Sequence, residues 1–510
     1  MTSDRRDFLT AASAAGALTL GPAMARAESD TVTVHTPAGI LRGRKGDGID
    51  VFTGVSYGLS TAGAARFQPP RPVPTFTEIF DATKPATVPP QTVSQLMPAP
   101  GAQSEDCLQL NIWAPRSPGP HPVFVWIYGG GNVSGACGMP IYDAASFARD
   151  GIVAININYR VGALGFLELG GVYGPQARGG SNNAMRDQLL ALHWVQRNVA
   201  AFGGDPERVT VGGESGGAFN TVCLLGSPAS KGLFRRAIVA SGGQSVQDSD
   251  GADAFARIYV EQLGGADRLH TASPVEIVAA QSKAAALWPL AAPFRQMIGP
   301  GLLPLAPIAA IGKGSAQGVD LMIGVTRDET RLLVPPALAA TPNPKLQMST
   351  LLSEQLEPLY AAYAKAYPQL SQAELTWKIT TAEAFAVPSM RIADAQASIG
   401  ARVYRYLLDY PIAAGPFGGM SPHGIDLPLA FEQFDSPIAH VFGFSAVDLP
   451  MAKTVHGAWE AFIKSGTPEV GDTSWPTYDA VTQKTMVLSR TPTVVASIDK
   501  VDRAIWEGTL

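Results

Sequence analysis

Short runs of apolar residues, many of them β-branched, recur along this 510-residue chain and alternate with segments in which apolar positions have helical spacing. Such runs predict strands, and apolar residues three and four positions apart predict helices. The predicted helices cover 184–201, 218–225 and 451–464. The predicted strands cover 32–35, 40–45, 51–56, 108–113, 123–128, 152–158, 209–212, 237–240, 320–325, 402–408, 486–488 and 494–495.

The order of these elements predicts an α/β fold. Strands and helices alternate through the middle of the chain, which favours a mostly parallel central sheet flanked by helices and joined by right-handed crossovers. Glycine-containing breaks at Gly39 and Gly46-Asp47-Gly48 separate the first strands and predict an N-terminal β-hairpin region. Alanine-rich residues 248–298, and residues 347–397 apart from breaks at prolines, predict helical insertions that cover the edge of the sheet.

A glycine-flanked serine stands between a predicted strand and a predicted helix, in Gly213-Glu214-Ser215-Gly216-Gly217. A G-x-S-x-G turn in this setting holds the serine in strained backbone geometry, so that its hydroxyl projects clear of the sheet. The next backbone N–H, that of Gly216, then lies at a helix N-terminus. Because the chain holds 53 glycines, the motif alone is also compatible with an ordinary glycine-rich turn.

Three consecutive glycines, Gly129-Gly130-Gly131, follow the buried strand predicted over 123–128. They allow the backbone to turn with its N–H groups exposed, and acyl-transfer chemistry needs such donors where negative charge develops on oxygen. Taken alone, the same pattern also fits a flexible loop.

An acid that orients a catalytic histidine is expected downstream of the serine, because hydrolases with this turn carry serine, acid and histidine in that order. Asp328 and Glu329 follow a predicted strand, whereas Asp320 begins one. A position in the loop after the strand favours Asp328 and Glu329, and the spacing does not separate them.

Four histidines follow the serine in the chain. Two of them are predicted to lie in loops and stay open as the base, and the first of these follows the predicted strand 402–408, as the last catalytic loop should. The other two belong to predicted helices, one of them in a helical insertion. The loop candidates are His423 and His440; the helical ones are His270 and His456.

Composition limits the class of protein and the partners that are expected. With 46% hydrophobic and 16% charged residues, the chain is globular and long enough for an extensive core. The net charge is −5 and no basic stripe is present, which argues against a nucleic-acid partner. Cys107, Cys137 and Cys223 are too few for a disulfide framework and are predicted to be buried free thiols.

The first 27 residues have the features of a twin-arginine signal peptide, with Arg5-Arg6, an apolar stretch over 11–20 and an A-x-A site at Ala25-Arg26-Ala27. The apolar stretch is about half the roughly 20 residues that a spanning helix needs, so no stable membrane anchor is predicted. We expect export by the twin-arginine route to the periplasm or medium. Residues 28–510 are expected to form one domain.

Nearly the whole mature chain, from about residue 31 to 479, resembles the carboxylesterase type B, or cholinesterase-like, family of α/β-hydrolases. Together its motifs are far more specific than a lone G-x-S-x-G, and they imply the α/β-hydrolase fold. The segments that carry the resemblance are 52–57, 104–113, 125–131, 158–160, 187–188, 202–217, 458–462 and 475–476.

The resemblance implies a Ser-His-Glu catalytic triad. By position in the family motifs, Ser215 resembles the nucleophile, Glu329 the acid and His423 the base. It is this resemblance, and not the spacing, that favours Glu329 over Asp328 and His423 over His440.

The resemblance also implies an oxyanion hole and a supporting carboxylate. The N–H groups of Gly130, Gly131 and Gly216 are the implied donors, although the family usually has alanine at position 216. Glu214 is similar to a family glutamate that lies near the catalytic histidine; the alternative is a solvated turn residue.

The implied activity is that of a serine carboxylesterase, which hydrolyses a small-molecule carboxylic ester to acid and alcohol and needs no metal or cofactor. The alternatives are the same serine chemistry on an amide, carbamate or lactone, or a non-catalytic adhesion-type homologue. Residues 84–105 contain no aromatic residue, and Asn132 stands where phenylalanine is common, so choline esters are not the expected substrates.

Overall fold

The computed structural model describes residues 30–94, 97–341 and 353–509, so the predicted signal peptide over 1–27 lies outside the described residues. Apolar, β-branched runs form the strands within these ranges, as expected. The strands are β1 (Thr31–Thr36), β2 (Gly39–Lys45), β3 (Ile49–Ser56), β4 (Phe80–Asp81), β5 (Gln109–Pro115), β6 (His121–Ile127), β7 (Val153–Ile157), β8 (Gly204–Glu214), β9 (Arg236–Ala240), β10 (Val246–Gln247), β11 (Gln296–Met297), β12 (Asp320–Thr326), β13 (Val403–Leu408), β14 (Lys484–Leu488) and β15 (Thr493–Ala496).

One large sheet has the strand order β1-β2-β3-β5-β7-β6-β8-β9-β12-β13-β14-β15, with β4 paired to β2. Neighbours from β7 through β14 in this order are parallel. At one edge β1, β2, β3 and β5 pair antiparallel, as does β15 at the other edge, whereas the short β4 is parallel to β2. The prediction of a parallel centre with an N-terminal hairpin region is therefore confirmed.

Helices occupy the segments between the strands. A π-helical turn, Ala382–Ala386, joins the helices Gln372–Thr381 and Val387–Ser398. The helices are α1 (Ala145–Arg149), α2 (Gly162–Phe166), α3 (Gly170–Tyr173), α4 (Asn183–Asn198), α5 (Gly216–Gly226), α6 (Ser249–Leu263), α7 (Arg268–Thr271), α8 (Pro274–Leu287), α9 (Pro307–Gly312), α10 (Thr330–Leu333), α11 (Pro336–Ala339), α12 (Ser353–Ala366), α13 (Gln372–Thr381), α14 (Val387–Ser398), α15 (Asp426–Phe431), α16 (Pro437–Phe442), α17 (Leu449–Ser465) and α18 (Lys500–Ile505).

The central strands are buried on both faces, as parallel strands covered by helices must be. Every residue of β6 and β7 is buried. Helix α5 packs against β8 and β9, and α17 packs against β6. One continuous hydrophobic cluster reaches from Leu41 in β2 to Leu488 in β14. This packing fixes the carboxyl ends of the parallel strands, where the candidate site lies.

Two expectations about secondary structure are wrong in detail. The insertion predicted as helical over 248–298 contains no helix after Leu287, because Pro289 and Pro293 interrupt the pattern and the chain then forms β11. His440 lies not in a loop but in α16, which Pro437 begins. Of the insertion predicted over 347–397, residues 347–352 lie outside the described residues, and the remainder is helical except for a break at 367–371, which contains Pro368.

Candidate active site

Ser215 lies on a strained turn between β8 and α5. Its φ of 54° and ψ of −125° are unusual for a residue with a side chain. The turn requires its glycines, because a Cβ on Gly213 would collide with the backbone of Gly217. A Cβ on Gly217 would in turn collide with the carbonyl oxygen of Ile127 at the end of β6. The tight packing holds the half-buried Ser215 at the carboxyl edge of the sheet.

The triple-glycine loop after β6 packs directly against this serine turn. A Cβ on Gly129 would lie 3.2 Å from the Cβ of Ser215. A Cβ on Gly216 would lie 3.0 Å from the backbone nitrogen of Gly131 and 3.2 Å from that of Asn132. The first N–H groups of a helix have no acceptor within the helix. The N–H groups of the loop and of α5 therefore meet beside Ser215, where a carbonyl oxygen can accept hydrogen bonds.

A buried polar network holds the loop in this position. Asn132 Nδ2 donates to the carbonyl oxygen of Phe294 over 2.9 Å, and Asn132 Oδ1 accepts from Asn220 Nδ2 in α5 over 3.0 Å. Gln296 donates in turn to Asn220 Oδ1. Asn132 has a φ of 64°, a conformation that asparagine tolerates better than most residues. The sequence singled out Asn132 only as a departure from the family pattern, and gave no sign of this network.

Glu329 and His423 meet although 94 residues separate them. Glu329 follows β12 and His423 follows the neighbouring strand β13, with the two strands parallel and paired. Glu329 is fully buried, and its Oε2 lies 2.5 Å from Nδ1 of His423. Its Oε1 accepts the backbone N–H of Thr326 over 2.7 Å. The carboxylate is therefore fixed on one side of the imidazole ring.

Thr330, the residue after Glu329, anchors this loop to α13. It is fully buried, and its hydroxyl donates to the carbonyl oxygen of Trp377 over 2.9 Å. The same hydroxyl lies 2.8 Å from that of Thr380. These contacts attach the residue after Glu329 to the helical insertion and limit the movement of the carboxylate.

Glu214 lies on the other side of the imidazole. Only 3% of Glu214 is exposed, so it is not a solvated turn residue. Its Oε1 is 3.1 Å from Nε2 of His423, but the orientation of the two groups does not form a hydrogen bond. Burial raises the pKa of Glu214 to about 8, although the positive charge of His423 acts to lower it.

Asp426 adds a third buried carboxylate near the histidine. It begins α15 three residues after His423, and burial together with the charge of Glu329 raises its pKa to about 7. Burial alone would lower the pKa of His423, but the charges of Glu214 and Glu329 outweigh it and raise that pKa to about 9. The sequence did not single out Asp426, although its spacing from His423 on a helix start was the available signal.

The remaining histidines lie in other surroundings. His440 is exposed on α16, and His270 packs its ring against Phe67. His456 in α17 makes hydrogen-bond contacts with the carbonyl oxygen of Ala430 and with Asp150 Oδ2. His456 and Asp150 form an ion pair when the ring is protonated, and Glu460 belongs to the same cluster of side chains.

No hydrogen bond joins Ser215 Oγ to His423 among the described residues; the Nε2 of the ring faces Glu214. The structure nonetheless brings the predicted residues to one edge of the sheet. Ser215 follows β8, while Glu329 and His423 follow β12 and β13. In apo enzymes the contact between nucleophile and base is often longer than in the complex with substrate.

The three cysteines are free and buried, as expected. Burial raises the pKa of all three thiols, that of Cys223 to about 12. Thiols with raised pKa values are poor nucleophiles, so none of them competes with the serine.

A serine on a strained strand-to-helix turn, at the carboxyl edge of a parallel sheet flanked by helices, defines an α/β-hydrolase. The pattern of the Carboxylesterase family matches residues 30–506, so the chain belongs to this family. Membership in it makes the protein a carboxylic ester hydrolase.

Individual relatives agree with this assignment. The chain is 32% identical over 487 residues to the para-nitrobenzyl esterase of Bacillus subtilis, covering 90% of this chain and 95% of that one. It is 32% identical to a probable N-octanoylanthranilate hydrolase of Rhodococcus erythropolis, over 87% of this chain and 95% of that one. The crystal structure of a Geobacillus stearothermophilus carboxylesterase superposes with a TM-score of 0.82 at 32% identity, over 93% of this chain and 99% of that one.

In the part of the chain that the structure describes, none of the helices combines the length and apolar character that crossing a membrane requires.

Proposed function

We propose that the protein hydrolyses small carboxylic esters through an acyl-enzyme on Ser215, with His423 as base and Glu329 as the orienting acid. The observation that carries this proposal is the 2.5 Å contact between Glu329 Oε2 and His423 Nδ1, made beside a serine on a strained turn. Glu329 keeps the proton on Nδ1, which leaves Nε2 free to accept one. Burial of Glu329 makes this orientation rigid.

In the first half of the reaction, Ser215 Oγ transfers its proton to His423 Nε2 and attacks the ester carbonyl carbon. The carbonyl oxygen becomes an oxyanion and accepts hydrogen bonds from the N–H groups of Gly130, Gly131 and Gly216. The imidazolium then gives its proton to the alcohol oxygen as the C–O bond breaks. The alcohol leaves, and the acyl group remains on Ser215.

In the second half, a water molecule takes the place of the alcohol. His423 removes a proton from the water as it attacks the acyl carbon, and the same N–H groups hold the second oxyanion. The imidazolium returns its proton to Ser215 Oγ, and the acid leaves. A small rotation of the serine or imidazole side chain on substrate binding brings Oγ and Nε2 into contact, since Nε2 faces Glu214 in the free enzyme.

The test is hydrolysis of 4-nitrophenyl butyrate by purified Ser215→Ala, with Ser282→Ala on helix α8 as the matched control. We expect the first variant to lose at least about 10³-fold in kcat while keeping its melting temperature, and the control to match wild type. Labelling with a fluorophosphonate, followed by peptide mass spectrometry, should place the adduct on Ser215. Full activity of Ser215→Ala would contradict the assignment of Ser215 as the nucleophile. If the wild type neither hydrolyses the ester nor reacts with the fluorophosphonate, a non-catalytic homologue is favoured.

A second candidate substrate class is the amide. It is favoured by the relative named as a probable N-octanoylanthranilate hydrolase, a name that denotes an N-acyl compound. Hydrolysis of an ester and an amide with the same acyl group separates the two candidates. A kcat/KM for the amide equal to or above that for the ester would make the amide the primary substrate class. Carbamates, lactones and tert-butyl acetate extend the same panel.

We further propose that residues 1–27 direct export by the twin-arginine route. The support is the sequence of this segment, which contains Arg5-Arg6 and ends in Ala25-Arg26-Ala27. The double variant Arg5→Lys, Arg6→Lys should keep the activity inside the cytoplasm, whereas wild type should place it in the periplasm or medium. Equal distribution of the two proteins between these fractions would contradict the proposal.

A further inference from the structure

A cavity of about 470 Å³ lies beside α5, the helix that follows Ser215. Phe219, in the first turn of α5, forms one wall, and Ile308 and Pro388 contribute apolar surface elsewhere in the lining. Arg295, Glu383 and Arg391 line the same space. A largely apolar cavity with a few charged groups is the usual form of a site for a small molecule.

The cavity adjoins the candidate catalytic residues. The ring of Phe219 lies 6.1 Å from that of Phe385, which in turn lies 4.9 Å from the ring of His423. Gln244, another lining residue, follows the strand β9 whose last residue, Ala240, accepts the N–H of Ser215 over 3.1 Å. A substrate whose carbonyl lies at Ser215 can therefore extend one of its two ends toward this space.

Arg295 is the unusual member of the lining. Only 8% of it is exposed, yet no carboxylate lies within ion-pair distance of its guanidinium among the described residues. Its Nε donates to the carbonyl oxygen of Ala292 over 2.6 Å, and its Nη2 donates to that of Ala291. These bonds use two of the five N–H donors, and the guanidinium remains charged.

Arg295 has one carboxylate near it in the lining, that of Glu383. The negative charge of Glu383 acts on Arg295 from beyond ion-pair distance, so the charge of Arg295 is not neutralised in direct contact. A buried cation without an opposite charge in contact is unfavourable, and an anionic group entering the cavity would relieve that cost. The planar fork of arginine matches a carboxylate in particular.

We propose that this cavity binds the carboxylate of an ester substrate, so that the enzyme prefers esters with a free carboxylate on the acyl or alcohol part. The inference rests on the proposed function, because it assigns the preference to hydrolysis at Ser215. Arg295 binds the carboxylate, and the apolar walls contact the carbon chain that links it to the ester.

Two substrate pairs test the proposal and separate the two ends of the ester. The first compares 4-nitrophenyl hemiadipate with 4-nitrophenyl hexanoate, which differ in charge at the end of the acyl chain. The second compares 3-carboxyphenyl acetate with 3-methylphenyl acetate, which differ in charge on the alcohol. For each pair the measurement is the ratio of kcat/KM for the anionic ester to that for the neutral ester.

We expect Arg295→Met to lower this ratio about tenfold or more in one of the two pairs, because a charge-assisted hydrogen bond is lost. Glu383→Gln should raise the same ratio by removing a negative charge from the lining. Arg295→Lys should retain part of the preference. Because Arg295 also supports the turn at Ala291 and Ala292, the neutral ester of each pair reports whether the variant has kept its fold and activity.

Ratios that do not change in Arg295→Met and Glu383→Gln, in both pairs, would overturn the inference while leaving the esterase proposal intact. Absence of hydrolysis of the neutral esters by wild type, with no labelling of Ser215, would mean instead that the proposed function fails.

Discussion

Asn220 Nδ2 donates a hydrogen bond to Asn132 Oδ1 over 3.0 Å and thereby joins helix α5 to the triple-glycine loop after β6. Both residues are buried, and among the described residues neither side chain forms a hydrogen bond with Ser215, Glu329 or His423. The bond sets how far the N–H groups of the loop lie from those of helix α5. Oxyanion donors stabilise charge only when they are held in place before the reaction.

Removal of the Asn132 side chain should therefore slow catalysis more than it weakens binding. We choose Asn132→Gly because glycine adopts the φ of 64° without strain. The expected result is a fall in kcat of about tenfold with little change in KM, since a displaced donor is less damaging than a deleted one. Asn220→Ala should act in the same direction.

The readout that separates positioning from general destabilisation is kcat measured well below the melting temperature of each variant. If Asn132→Gly lowers the melting temperature but keeps the wild-type kcat, the network supports the fold and not the oxyanion donors.

In a plot of kcat/KM against pH, the pH at which activity rises on the acidic side should depend on Glu214. His423 must be neutral to accept a proton, and its pKa is raised to about 9 because nearby carboxylate charges outweigh the effect of burial. The activity of wild type should therefore rise through a pH range above the ordinary histidine value of about 6.5. Glu214→Gln removes one of those charges and should move this rise to lower pH.

The measurement is kcat/KM for a neutral ester between pH 5 and pH 10. Asp426→Asn is the comparison, and its shift should have the same sign but a smaller size, because Asp426 is the weaker influence on His423. A rise at the same pH in wild type and Glu214→Gln would contradict the electrostatic role given to Glu214.

The stabilising effect of His456 should fade as pH rises. Burial would lower the pKa of His456, but its contacts with Asp150 and the carbonyl oxygen of Ala430 raise it above the usual value. A raised folded pKa means that the stabilisation is complete below about pH 6.5 and is lost as pH passes the folded value. His456→Gln should therefore lower the free energy of unfolding at pH 6 and have less effect at pH 9.

Because Asp150 is 40% exposed, solvent screens the pair and the expected loss is only about 1 kcal/mol. Urea unfolding at both pH values measures it. His440→Gln, which alters an exposed histidine, should unfold like wild type at each pH. A loss for His456→Gln that grows from pH 6 to pH 9 would contradict this pH dependence.

The buried pair of Arg160 and Asp187 should be far more important for stability than pairs on the surface. Asp187 Oδ1 accepts from Arg160 Nη2 over 2.7 Å, and Asp187 Oδ2 accepts from Nε over 2.8 Å, with almost no exposure of either side chain. Asp187→Asn leaves a buried cation without its partner and should cost about 3–5 kcal/mol. Glu207→Gln, in an exposed pair with Arg235, should change the free energy of unfolding by less than about 1 kcal/mol.

The strands were predictable from sequence because the central ones are buried on both faces and so consist of continuous apolar runs. The turn around Ser215 and the loop after β6 were also visible, because their backbone geometry requires glycines in fixed positions. Where the predictions failed, a proline was decisive: Pro289 and Pro293 end the helical insertion early, and Pro437 begins the helix that contains His440.

Contacts between distant residues were not predictable in the same way. Nothing in the sequence near Asn132 indicates that Asn220 or the carbonyl of Phe294 will lie beside it, because the contact exists only after the sheet has formed. Likewise, nothing in the sequence near Thr330 indicates that its hydroxyl will contact the helix that contains Trp377. The choice of Glu329 over Asp328 needed a family pattern, since both follow the same strand.

The order of the strands has a consequence for the way this protein can be studied. Ser215 follows β8, whereas the segments that carry Glu329 and His423 follow β12 and β13, and β9 lies between β8 and β12. A truncated chain that stops before residue 423 cannot complete the site, however well its earlier strands pair. If the triad is as proposed, hydrolysis of a chromogenic ester becomes a direct assay of refolding, reporting the moment at which the last central strands join the sheet.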